Sequence, residues 1–259
     1  MEVKKVVCEI KDGLAVVTLN NPPFNALNAA VMSDLDHILD DLSSNRSVKV
    51  VIITGAGEKA FVAGADIKQF TDMTPASGKE LVRLGHEILS KIKALNQPVI
   101  AAIHGLALGG GCELALACDI RIASENALFG LPEVSLGIIP GYGGTQRLPR
   151  LVGPSRAMAL ICTGDPVKAD EAFRIGLVDK IAPVGQVLDE AKSMANKIMS
   201  RGPLAVQAAK KAILTGMDMT LEEGLIFEAD VFAGLCGTDD QKEGAEAFLS
   251  KRKPVFVGK

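Results

Sequence analysis

Residues 104–119, His-Gly-Leu-Ala-Leu-Gly-Gly-Gly-Cys-Glu-Leu-Ala-Leu-Ala-Cys-Asp, constrain this chain more than any other stretch. An apolar, strand-like run over 98–103 feeds three consecutive glycines. These lead into an apolar, helix-like segment with one acid, Glu113, at its start. Glycine lets backbone approach a ligand closely, because there is no Cβ to collide with it. A helix beginning here directs unpaired N–H groups and the positive end of its dipole outward. A developing negative charge on a substrate oxygen would be stabilised there, and a carboxylate one turn in could handle protons beside it. The same pattern also suits a plain strand-to-helix turn that packs tightly.

The rest of the chain sets this segment in an α/β context. Residues 13–20, 49–54, 98–103, 119–124 and 127–129 read as short buried strands. Asn28 can cap a helix with the stripe Val31, Leu35, Ile38, Leu39 and Leu42. A second helix, over about 78–95, carries Leu81, Leu84, Ile88, Ile92 and Leu95. After about residue 144 the pattern turns helical, with segments at 186–200, 203–215, 220–235 and 240–251 and prolines 154, 166 and 203 near helix starts. An α/β core over 1–198 and a helical C-terminal subdomain over 199–259 are expected. No internal repeat shows in the sequence.

Composition narrows the function. A formal net charge of −3 argues against a general nucleic-acid or membrane-surface binder. The five cysteines, at 8, 112, 118, 162 and 236, are odd in number and fit no zinc spacing, so free thiols in a reducing compartment are expected. Residues 1–6 run almost directly into a strand pattern with no apolar signal core, and no run approaches a membrane span. A cytoplasmic location follows as an expectation. Residues 109–111 lack the spacing of a dinucleotide fingerprint, and no phosphate-binding Walker motif is present.

Two further segments identify a family. Phe-Val-Ala-Gly-Ala-Asp-Ile-Lys occupies 61–68. Phe-Gly-Leu-Pro-Glu-Val-Ser-Leu-Gly-Ile-Ile-Pro-Gly-Tyr-Gly-Gly-Thr-Gln-Arg-Leu occupies 129–148. With the glycine run between them, in this order and at this separation, the chain resembles the enoyl-CoA hydratase, or crotonase, family, most closely its bacterial short-chain members. The likeness extends from the Asn-Pro-Pro-Phe-Asn-Ala-Leu-Asn segment ending at 28 to Lys251 and Arg252. It implies a spiral of β-β-α turns, with C-terminal helices packing against neighbouring subunits in a homohexamer built as a dimer of trimers.

The resemblance also implies a reaction, the reversible addition of water to a trans-2-enoyl-CoA in fatty acid β-oxidation. That reaction requires an anionic thioester oxygen to be held, water to be deprotonated and a proton to reach C2. Two backbone donors and two carboxyl groups meet these requirements, with no cofactor beyond the coenzyme A carried by the substrate. The family's oxyanion-hole N–H groups map onto Ala65 and Gly110, and its two glutamates onto Glu113 and Glu133. Relatives doing isomerisation, decarboxylation or dehalogenation usually lack one or both acids; this chain keeps both. Without the match, Ala65 reads as a turn alanine, Glu113 as a half-exposed helix-start acid and Glu133 as a surface acid. The helix-start position of Glu113 should favour its ionised form.

Gly141 maps near the attacking water, and a tight turn explains it equally well. Coenzyme A contacts map onto Asn25, Ala26, Leu27, Lys59, Ala63, Asp66, Ile67 and Lys68, and onto Phe232 and Lys251 from the helical tail. The loop over 70–78 is expected to shape the acyl pocket. Isomerisation or cyclic dienoyl-CoA hydration on the same scaffold remains open, as does an RNA-binding relative. The acidic balance weighs against RNA.

Overall fold

The computed structural model describes residues 4–64 and 71–259. After an opening hairpin that lies wholly in the large sheet, the architecture follows from a repeated path in which one strand goes to a large sheet, the next to a small sheet, and a helix closes the turn. The first pass is β1 (Val6–Lys11), β2 (Leu14–Leu19) and α1 (Ala29–Ser44), with β1 and β2 forming an antiparallel hairpin. The next two are β3 (Val50–Gly55), β4 (Ala60–Ala63) and α2 (Pro75–Ala94), then β5 (Val99–Ile103), β6 (Leu106–Leu108) and α3 (Gly110–Ala117). A fourth begins with β7 (Ile120–Ser124) and β8 (Leu128–Gly130) and continues through a 3₁₀ turn, Pro132–Leu136, to α4 (Gly144–Val152) and α5 (Pro154–Thr163). Then come β9 (Val167–Lys168), α6 (Ala169–Arg174), β10 (Lys180–Ala182) and α7 (Val187–Met199). The tail is α8 (Pro203–Gly216), α9 (Leu221–Ala233) and α10 (Asp239–Leu249).

Among the described residues the large sheet runs β1-β2-β3-β5-β7-β10 and the small one β4-β6-β8-β9. Parallel pairing of β2, β3, β5, β7 and β10 stacks the successive passes into a spiral. The central strands are apolar on both faces, as parallel strands covered on both sides must be. In β3, Val51 and Ile53 join the main core with Leu35 and Leu39 of α1 and Ile88, Leu89 and Ile92 of α2. The intervening Val50 and Ile52 pack on the other face against Val187, Ala191 and Ala195 of α7.

Asn28 caps α1 through its side chain, which accepts from the Val31 N–H, and Val31, Leu35, Leu39 and Leu42 are buried as expected. α2 departs from the expectation: Leu84 is 41% exposed, and Leu89 takes the inward place. The helical reading beyond 144 overlooked β9 and β10, which extend the small and large sheets.

The expected division at 198/199 falls at the end of α7. Beyond it α8 and α9 pack on each other, and neither contains a fully buried residue. One buried ion pair ties α8 back to the sheet: Lys210 Nζ lies 2.7 Å from Asp119 Oδ2 and also donates to the Gln97 carbonyl. No helix among the described residues is long and apolar enough to cross a membrane.

Candidate active site

α3 begins against backbone, which is why glycine fills its first turn. Gly109 sits at φ 55° and ψ −127°, and a Cβ there would stand 2.8 Å from Glu133 Oε1. A Cβ on Gly111 would collide with the Val62 carbonyl of β4. The helix start therefore lies directly on the small sheet, with the Glu133 carboxylate in the space that Gly109 leaves open. Gly110, between them, is the first helical residue, and its N–H has no protein acceptor among the described residues.

Glu113, Glu133, Gly110 and Gly141 line one cavity of about 590 Å³. Its walls are otherwise largely apolar, with Met73, Leu81, Val82, Ile138, Ile139 and Tyr142. Met73 and Gly78 come from the loop and helix start expected to shape an acyl pocket. The Tyr142 ring, 6% exposed, packs on α2 where Gly85 leaves room for it.

The two acids differ in their surroundings. Glu113 is 2% exposed, and its Oε1 accepts the Gly144 N–H at 2.7 Å. Burial pushes its carboxyl up to about 7, with the Glu133 charge adding to the rise; the N–H groups of Gly144 and Tyr142 and the charge of Arg147 oppose it. The helix-start position alone pointed to an ionised carboxylate. Desolvation outweighs that, because an end-of-helix charge is worth at most a couple of kcal/mol while full burial of a carboxylate costs more. Glu133, half-buried in the first turn of the 3₁₀ segment, is also raised by burial. Its Oε2 is buried with no hydrogen-bond partner among the described residues. Neither acid is the exposed surface residue that its local sequence allowed.

The other expected contacts divide. Ala65, Asp66, Ile67 and Lys68 lie outside the described residues. Asn25 is buried at φ 57°, and its amide donates to the Ala56 and Ala60 carbonyls, so the side chain holds loops together. The Ala26 carbonyl accepts from Asn21, and the Leu27 N–H goes to Gly64 while its side chain packs beside Gly110. The Ala63 N–H is taken by Phe24. Lys59 is exposed. Within one protomer Phe232 and Lys251 are not in the wall of the glutamate cavity. Phe232 is 69% exposed and borders a separate tail cavity of about 210 Å³. Among the described residues no group of three or more His, Cys, Asp or Glu is arranged to hold a metal ion. Cys112 is buried with its thiol pushed up by desolvation, so it is protonated and unreactive.

The sequence reading gave no role to Gly144 or Arg147, although both stand in the Gly-Gly-Thr-Gln-Arg run it singled out. A glycine pair after a turn, followed by a basic residue one turn into a helix, was the available signal. Its target, Glu113, is reached only through the fold.

A sequence profile of the Enoyl-CoA hydratase/isomerase family matches residues 9–259. The short-chain-enoyl-CoA hydratase of Clostridium acetobutylicum is 48% identical over 254 residues, covering 98% of this chain and 97% of that protein. The crotonyl-CoA hydratase of Syntrophomonas wolfei is 48% identical over 261 residues, with full coverage of both. The crystal structure of an enoyl-CoA hydratase from Bacillus anthracis superposes with a TM-score of 0.95 at 44% identity, covering 98% of this chain and 100% of that one. Likeness of this extent, over a spiral fold with two carboxyl groups on one cavity, has one meaning: the chain belongs to the enoyl-CoA hydratase/isomerase family.

Proposed function

We propose that this protein adds water reversibly to short-chain trans-2-enoyl-CoA thioesters, with crotonyl-CoA as a representative substrate, giving the 3-hydroxyacyl-CoA. The observation that carries the reading is the meeting of Glu113, Glu133 and the Gly110 N–H, which has no acceptor among the described residues, on one largely apolar cavity. The thioester oxygen takes the Gly110 N–H and, from the sequence match, that of Ala65. Charge building on this oxygen as water attacks C3 is then held by preorganised donors. Glu113, which accepts backbone N–H groups and faces Arg147, takes the water proton. Glu133, with no donor on its buried Oε2 among the described residues, carries the proton delivered to C2. The hydroxyl bonds to C3 and the proton to C2 on the same face. The two carboxyl groups titrate as a coupled pair, and the reaction needs no further cofactor. Gly141 helps to orient the water.

The coenzyme A moiety follows the Asn25–Leu27 loop, Ala63 and the 65–68 segment, with Lys59 near its phosphates. Phe232 and Lys251 serve a neighbouring subunit's site within a hexamer in the cytoplasm. Support for assembly comes from tail residues left exposed in one protomer, including Ile213, Met217, Leu221, Ile226, Phe248 and Leu249. Light scattering that finds only monomer at micromolar concentration would remove that part.

The test of the reaction is loss of enoyl-thioester absorbance with crotonyl-CoA, run also in heavy water. Hydration with one deuterium at C2, in a single configuration relative to the C3 hydroxyl, is expected. Glu113→Gln and Glu133→Gln should each lower turnover by roughly 100-fold or more. Fast conversion of a 3-enoyl-CoA beside slow hydration of the 2-enoyl isomer would replace hydration with isomerisation as the reading.

A further inference from the structure

Glu113 does not hold its own position. The Gly144 N–H that binds it belongs to the turn between Tyr142 and α4, and glycine fills both turn positions that follow Tyr142. Gly143 sits at φ 103°, a left-handed conformation that does not fix the turn through its side chain. Arg147, one turn into α4, reaches back over this turn. Its Nη1 donates to the Tyr142 carbonyl at 2.6 Å, and the guanidinium lies so close over Gly143 that any Cβ there would strike it. Arg147 is partly buried, and burial lowers its pKa. Among the described residues no carboxylate is in salt-bridge contact with it, and Glu113 is the carboxylate whose charge acts on it.

We infer that Arg147 is a positioning residue for the Glu113 carboxylate: it fixes the 142–144 turn through the Tyr142 carbonyl and sets a positive charge behind the acid. The inference rests on the role proposed above for Glu113. The titratable side chains around that acid are Glu133 from the 3₁₀ turn, Tyr142 from the loop, Cys112 from its own helix, Arg147 from α4 and His86 across the cavity on α2. Of these, Arg147 alone combines a charge favouring the ionised form with a grip on the turn that donates to it.

The experiment is the pH profile of kcat/KM for crotonyl-CoA hydration in Arg147→Met and Arg147→Gln, each checked for folding by thermal unfolding. An ionised Glu113 with its carboxyl at about 7 places an acid limb near that pH. Removing the charge should raise the limb by about one pH unit, giving roughly eightfold loss at pH 6.5 and less than twofold loss at pH 9. Arg147→Gln keeps a donor for the Tyr142 carbonyl and loses the charge. It should show the same displacement, and it stands in if the methionine variant does not fold. In a Glu113→Gln background the limb should vanish, and adding Arg147→Met should change the residual rate by less than about twofold. A folded Arg147 variant with an unmoved limb, or an equal loss with and without Glu113, would overturn the inference. Near-normal turnover of Glu113→Gln alone would instead overturn the role given to Glu113.

Discussion

Glu113→Gln should make the fold more stable as it makes the enzyme slower, and the gain should depend on pH in a way the structure fixes. The carboxyl is 2% exposed, and burial raises it from an ordinary 4.5 to about 7. A carboxyl whose folded pKa lies above its unfolded one binds protons more tightly in the native state. Stability from this group is therefore complete below about pH 4.5 and is lost as pH rises toward 7. Above that the loss is constant at about 3 kcal/mol, the difference between the two pKa values at about 1.4 kcal/mol each. Glutamine keeps a carbonyl oxygen for the Gly144 N–H and has no charge to desolvate. The gap between variant and parent should widen by about 2 kcal/mol between pH 5 and pH 8. Urea unfolding at both pH values and one protein concentration measures it directly. The amide's own fit in the cavity adds only a pH-independent offset, so the change in the gap is the decisive quantity. A gap of equal size at pH 5 and pH 8 would show that Glu113 does not take up its proton near neutrality, and the reasoning from burial would fail.

Gly109→Ala puts a Cβ 2.8 Å from Glu133 Oε1 in a backbone conformation unsuited to alanine. It should cost about 1–3 kcal/mol of stability and at least tenfold in hydration rate through displacement of the acid; unchanged turnover in a folded variant would show that Glu133 has room to spare. Lys210→Met leaves Asp119 with its charge unpaired at a site where the two side chains are 8% and 16% exposed. A loss of about 3 kcal/mol in urea unfolding is expected, and a loss under about 1 kcal/mol would mean that water reaches the pair.

The fold was most legible where a strand is buried on both faces. The apolar runs that became β3 and β5 need no partner information to be recognised, and Asn28 announces α1 because its side chain acts locally. Leu84 misled because helical spacing cannot tell the edge of an apolar stripe from its centre. The two- and three-residue strands β9 and β10 are too short to show a period, and neighbouring strands determine them. At the site, the glycine run and its one acid drew attention to Gly110 and Glu113, the family resemblance added Glu133, and all three line one cavity. Their environments were not legible. Whether Glu113 is buried depends on the Tyr142 turn arriving from another pass of the spiral, and the loop-holding bonds of the Asn25 amide go to carbonyls distant in sequence.

The bond from Lys210 to the sheet also bears on how the molecule comes apart. With no fully buried residue in α8 or α9, these two helices have little apolar packing of their own to resist local opening. Such a segment would ordinarily fray gradually from its end. Here the middle of α8 is riveted to the start of β7 and to the Gln97 carbonyl, so the inner half of that helix cannot lift until a desolvated ammonium is exposed. Amide exchange should therefore fall into two classes within the tail. Amides of α9 should exchange through small fluctuations, whereas those of α8 around Lys210 should exchange only through an all-or-none detachment. Among the described residues this buried ion pair makes α8 a latch that releases at Lys210.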